Sequence, residues 1–67
     1  MEYYIEKCIN GWRVACLIDG EVWPRYLMRR YKNRYTWSLD YAHAKTYTHA
    51  TARRILWRLS TDSGVPK

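Results

Sequence analysis

The dipeptide Asn10-Gly11 stands between residues 3–9 and 12–18, two runs in which apolar side chains recur at nearly every second position. Asn-Gly is the preferred pair for a two-residue type I′ turn, where both central residues need positive φ. Read that way, the turn sets Ile9 opposite Trp12, Lys7 opposite Val14, Ile5 opposite Cys16 and Tyr3 opposite Ile18. One face of the hairpin then carries Tyr3, Ile5, Ile9, Trp12, Val14, Cys16 and Ile18, interrupted by Lys7. The other carries Glu2, Tyr4, Glu6, Cys8, Arg13, Ala15 and Leu17. A slip of one residue would mix the two sets. A chain that opens in this way is committed to an antiparallel sheet. The register also puts Cys8 and Cys16 on opposite faces, about 10 Å apart at ~3.4 Å per residue. That is too far and wrongly aimed for a disulfide, so two reduced thiols are expected.

The rest of the chain extends this pattern. Asp19-Gly20 is a second turn signal, followed by a third strand at 21–23 that should stop at Pro24, which cannot donate to a ladder. Residues 35–39 alternate, with Tyr35, Trp37 and Leu39 inward and Thr36 and Ser38 outward, which predicts a fourth strand. Beyond Asp40 the sequence predicts a helical turn at 41–44, a short extended link, and Thr48 as the N-cap of a final helix. Ala52, Ile55, Leu56 and Leu59 fall at i, i+3, i+4 and i+7, one apolar stripe. The expected fold is α+β: a three- or four-stranded antiparallel meander with one C-terminal helix on its apolar face. Residues 1–60 form the single domain and 61–67 a loose tail. The expected core is Tyr3, Ile5, Ile9, Trp12, Val14, Cys16, Ile18, Trp37, Leu39, Ala52, Ile55, Leu56 and Leu59.

A chain of 67 residues buries only about 60% of its unfolded surface, so the core is small. Four Trp and seven Tyr, with no Phe, supply the bulk. Such rings tolerate a wet edge, which suits both a thin core and a binding surface. The net charge of +6 is unevenly spread. Residues 1–24 set Lys7 and Arg13 against Glu2, Glu6, Asp19 and Glu21. Residues 25–58 hold nine Lys or Arg against Asp40 alone. A basic half on a near-neutral half implies an anionic partner.

The cationic residues concentrate in residues 24–35, PRYLMRRYKNRY. Arg25, Arg29, Arg30, Lys32 and Arg34 can contact phosphate, and Tyr26 and Tyr31 can stack on bases or pack on sugars. Tyr35 belongs to the fourth strand's inward set. Residues 24–34 form either a short helix led by Pro24 or an extension of the flanking strands. On the last helix, Arg53, Arg54 and Arg58 fall away from the apolar stripe, with Trp57 between them, the residue types that dominate interface hot spots. If the two basic segments share a face they make one binding surface. If they point opposite ways, the stretch reads as a solvated connection.

Ala44-Lys45-Thr46-Tyr47-Thr48, followed by Ala52, Ile55, Leu56 and Leu59, resembles a pattern common in small proteins of bacteriophages and prophages. In these, a short meander leads through Ala-Lys-x-aromatic-Ser/Thr into a helix with an Ala and a Leu/Ile stripe. The resemblance carries a folding motif and no active site. It implies an accessory, stoichiometric role, and the basic 24–34 segment departs from the acidic character usual in such proteins.

Other chemistries find little purchase. C-x7-C and H-x5-H match no zinc-finger spacing, so no metal or cofactor is expected. His43 and His49 lack an assigned orienting neighbour for acid–base work, since Asp40 fits better as a cap, and the chain is expected not to be an enzyme. The helix's apolar stripe is needed for the core, which argues against membrane binding. No apolar run is long enough for a signal peptide or span, so a cytoplasmic location is expected. The expected function is nucleic-acid binding. The alternative is a counter-defence, anti-CRISPR-like inhibitor of an acidic or nucleic-acid-binding host protein. Homodimerisation through an open strand edge is a further possibility.

Overall fold

The computed structural model describes residues 1–31 and 34–63. Four antiparallel strands follow one another as a meander: β1 (Glu2–Cys8), β2 (Gly11–Leu17), β3 (Arg25–Tyr31) and β4 (Arg34–Ser38). A 3-10 turn (Tyr41–His43) and one helix, α1 (His49–Ser63), complete the α+β arrangement. The helix thus runs through 61–63, which the sequence assigns to a loose tail; residues 64–67 lie outside the described residues.

The first hairpin turns one residue earlier than Asn-Gly suggests, which shifts every strand partner by two. Cys8 pairs with Gly11, Lys7 with Trp12, Ile5 with Val14 and Tyr3 with Cys16, so Ile9 and Asn10 form the tip. Ile9, expected in the core, is fully exposed there. The cause is tertiary. Gly11 has φ +141°, and a Cβ on it would stand 2.7 Å from the Tyr47 carbonyl oxygen. Trp12 and Tyr47 exchange two backbone hydrogen bonds, each 2.8 Å. Gly11 therefore serves a close strand contact rather than the turn. A shift of two preserves which side chains share a face, so the two predicted faces survive.

Of the two expected forms for the basic stretch, the structure shows the extended one: Arg25–Tyr31 is itself the third strand, and Arg34 begins the fourth. Residues 21–23 lie in a turn and bend, with the Glu21 N–H donating to the Ile18 carbonyl (2.9 Å) and Gly20 at φ +88°. Pro24 precedes the first residue of β3, a position that needs no ladder donor. Leu27, absent from the expected core, is completely buried among the cationic side chains' own strand. Leu39, expected inward, is 58% exposed just past the end of β4.

The core joins Val14, Leu27, Ala52, Ile55 and Leu59, with Tyr3, Ile5, Trp12, Tyr35, Trp37 and Tyr47 packed around them. Burying each of Val14, Leu27 and Ile55 contributes roughly 1.5–3 kcal/mol. Helix α1 lies over β1 and β2, and Thr48 caps it, its hydroxyl accepting from the Thr51 N–H (3.2 Å). The β2–β3 ladder holds at Ala15–Tyr26 and Cys16–Arg25 and then opens. Residues 45–47 fill the fork: the Lys45 N–H donates to the Leu27 carbonyl (3.1 Å), and Tyr47 pairs with Trp12. Through this fork the chain passes from one face of the sheet to the other.

Both cysteines are free thiols. Cys16 is buried, and burial pushes its pKa up against the pull of Arg25 and the terminal amine. Cys8 is half-buried and its Sγ donates to the Gly11 carbonyl (3.2 Å). A thiol reagent at mildly alkaline pH should therefore modify Cys8 first and reach Cys16 only on unfolding. Equal rates for the two in the native protein would contradict this burial pattern.

Candidate functional site

With α1 on one face of the sheet, the other is left to the 3-10 turn and side chains. A lateral row crosses this open face: Tyr4 on β1, Ala15 on β2, Tyr26 on β3 and Ser38 on β4, each paired with the next. Ala15 is completely buried, a small floor between two tyrosines. The Tyr4 and Tyr26 hydroxyls both have raised pKa values, from burial first and then from neighbouring acidic groups, Glu6 among them. Both remain neutral hydrogen-bonding groups at physiological pH.

Tyr41 comes over this row from the 3-10 turn. Asp40 caps that turn, its Oδ1 accepting from the Ala42 N–H (2.9 Å). The Tyr41 ring meets Tyr26 edge-on, with centroids 6.4 Å apart at 71°, and the Arg13 guanidinium stands 5.1 Å from its centroid. Such a cation–π contact contributes about 0.5–2 kcal/mol. Arg13 also approaches Glu6 (3.7 Å), so the acid beside the tyrosines is largely offset.

The strand β3 sorts the basic stretch by face, and a bulge does the sorting. Leu27 pairs with Trp37, but Arg29 pairs with Thr36, leaving Met28 as the extra residue. Without it, period-two alternation from buried Leu27 would turn Arg29 and Tyr31 toward the helix side. With it, Arg29, Tyr31 and Arg34 join Tyr26 on the open face, and Arg30, paired with Tyr35, faces the helix side. All four are exposed. Lys32 lies outside the described residues. Arg25 is committed elsewhere, holding Glu21 in a two-pronged contact (3.1 and 2.9 Å) that keeps that carboxyl below its usual pKa.

Arg30 belongs to a second cluster that the sequence did not signal. It stands 5.8 Å from the Tyr47 ring centroid, and the Lys45 ammonium 5.9 Å from the same centroid. The Tyr47 hydroxyl is buried without a well-formed hydrogen bond; burial raises its pKa, and Arg30 partly pulls it back. Only the fork between β2 and β3 brings Lys45 here, and no local pattern announces a fork.

Arg53, Arg54, Trp57 and Arg58 are exposed on α1, with Trp57 at 68%. They lie on the side of the molecule away from the open face. The ten described residues among the eleven singled out by sequence therefore divide into an open-face group, a pair on the helix side of β3 (Arg25 and Arg30) and a group on α1. They do not form one surface.

The histidines are separated by the sheet. His43 is in the 3-10 turn on the open-face side, 3.9 Å from Asp40. His49 packs on Trp12 on the helix side, with ring centroids 4.5 Å apart. They cannot serve one substrate as acid and base. Among the described residues no group of three or more His, Cys, Asp or Glu converges as metal ligands. No helix there is long and apolar enough to cross a membrane. In comparison with known proteins, the chain matches no family model, no curated protein and no solved structure at a significant level.

Proposed function

We propose that the protein is a non-enzymatic binding module for nucleic acid, and that the open sheet face is its contact surface. One observation carries this reading: the bulge at Met28 turns Arg29, with Tyr31 and its partner Arg34, to the same sheet face as Tyr26, the face that α1 leaves uncovered. Arg supplies charge-assisted contacts to phosphate, and exposed rings supply stacking area. The two basic segments face opposite ways, which favours the alternative of a solvated stretch; against it stands that this stretch is a sheet strand with a buried Leu27 at its centre. A stoichiometric, accessory role of the kind the small phage proteins suggest is consistent with a site built from contacts alone.

Two arginines of the open face, Arg29 and Arg34, are available for phosphate. Each contact on a single strand contributes about −0.7 to the slope of log affinity against log salt, giving a slope near −1.4. Fluorescence anisotropy with a labelled oligonucleotide across a salt series measures it. Affinity insensitive to salt, or no binding at low salt, would end this reading.

A second reading rests on Trp57, exposed on α1 beside Arg53, Arg54 and Arg58. Arg and Trp in that arrangement suit an inhibitor seated on a host protein's acidic or nucleic-acid-binding groove. That reading expects Trp57→Ala to abolish capture of a nuclease-resistant partner while leaving oligonucleotide binding intact.

A further inference from the structure

Next to the open-face row, Trp23, Pro24, Tyr26, Leu39 and Tyr41 line a groove of about 400 Å³. The rings come from three places: the turn before β3, β3 itself and the 3-10 turn. Trp23 is 72% exposed and Tyr41 60%. A 67-residue chain has few large rings to spare for solvent, and here two stand exposed around one cleft. The lining holds no charged side chain, so a phosphate finds no partner in it. A flat, neutral ring does.

Much of the groove is also set in place before any ligand arrives. Tyr26 is half-buried in the sheet, Tyr41 is held by Arg13 and by the Asp40 cap, and Pro24 fixes the backbone between Trp23 and β3. Fixed rings lose little freedom on binding, which favours affinity. The open face that the groove borders carries Arg29 and Arg34, which fit the backbone of a charged polymer whose rings enter the groove. Its volume is at the small end of the range for compact ligands, roughly 300–1,000 Å³, the size class of one or two nucleobases.

From this we infer that the groove is a stacking site for unpaired nucleobases, and that the nucleic acid bound is single-stranded. The inference rests on the reading of the open face as a nucleic-acid surface and adds the ligand's strandedness. In a duplex the base faces are stacked on one another and cannot enter the groove, whereas every unpaired base offers a π face. Arginine contacts alone would hold either form.

The test compares a short single-stranded oligothymidylate, an abasic strand of equal length and a duplex, at one low salt concentration. The proteins are wild type, Trp23→Ala and Trp23→Phe. Trp23 is exposed, so neither substitution threatens the fold. Loss of one stacked base lowers affinity about 5- to 150-fold. The expected result is a loss of that size for Trp23→Ala on the oligothymidylate, none on the duplex or abasic strand, and recovery with Trp23→Phe. If Trp23→Ala binds the oligothymidylate as wild type does, or weakens strand and duplex equally, the stacking site is refuted while the nucleic-acid reading stands. If wild type binds none of the three probes, both fail together.

Discussion

Leu27→Ala is expected to unfold much of the protein at room temperature. Leu27 is completely buried at the centre of the core, against Val14, Ala52, Ile55 and Leu59. Truncating such a leucine costs about 2–5 kcal/mol, through lost burial and the cavity left behind. A domain of this length rarely has more than ~3–5 kcal/mol of stability from its core. One substitution therefore removes most of what holds the fold. Ile9→Ala and Leu39→Ala provide the contrast, because Ile9 is fully exposed and Leu39 58% exposed. Each should shift stability by no more than about 0.5 kcal/mol, as surface changes usually do. Urea unfolding followed by Trp fluorescence ranks the three. A Leu27→Ala midpoint close to wild type would mean that β3 is not a core strand.

Gly11→Ala should be the next most damaging change. The residue sits at φ +141°, where a side chain is strained by roughly 1–3 kcal/mol, and the new Cβ would meet the Tyr47 carbonyl at 2.7 Å. Relief requires pushing Tyr47 away and breaking the paired 2.8 Å bonds with Trp12, each contributing about 0.5–1.5 kcal/mol. The total is about 2–6 kcal/mol, and α1 would lose the strap that leads into its N-terminus. Gly20→Ala separates the two causes. Gly20 also has positive φ, +88°, but nothing lies within 4 Å of its would-be Cβ. It should incur the backbone strain alone. Equal losses at the two positions, measured by thermal or urea unfolding, would show that the Tyr47 approach contributes nothing.

The same residue marks where sequence reasoning reaches its limit. The faces of the first hairpin are legible because side-chain alternation is local, and it survives any even shift of register. The register itself is not, because Gly11 is claimed by Tyr47, more than thirty positions away. Thr48 as a cap, Asp40 as a cap and the Ala52–Ile55–Leu59 stripe are legible too, since each depends only on residues within two turns. The third strand is obscured by its cations: Arg29 and Arg30 around one buried leucine read as solvated chain until the sheet is assembled. Pro24 compounds this, because proline is compatible with the first position of a strand as well as with its end.

The candidate site was legible as composition and not as geometry. Arg29, Tyr31 and Arg34 were within view, yet which face each would take depends on the bulge at Met28, and nothing in Leu27-Met28-Arg29 signals an extra residue. Arg25 reads as free because its acid, Glu21, lies four residues upstream, outside the stretch. Trp23, Leu39 and Tyr41 fall in predicted strands or a helical turn, and only the fold turns them toward one groove.

The claim that the open face binds nucleic acid is tested most directly by two charge-removing variants against one labelled single-stranded oligonucleotide at low salt. Arg29→Ala/Arg34→Ala strips the open face, and Arg53→Ala/Arg54→Ala/Arg58→Ala strips a larger charge from α1. Contacts to a charged group contribute about 1.5–3 kcal/mol each, so the first variant, which removes two, should lose at least ~150-fold in affinity. The second, despite losing more charge, should lose less. If the helix variant loses binding and the open-face variant retains it, the open face is not the contact surface.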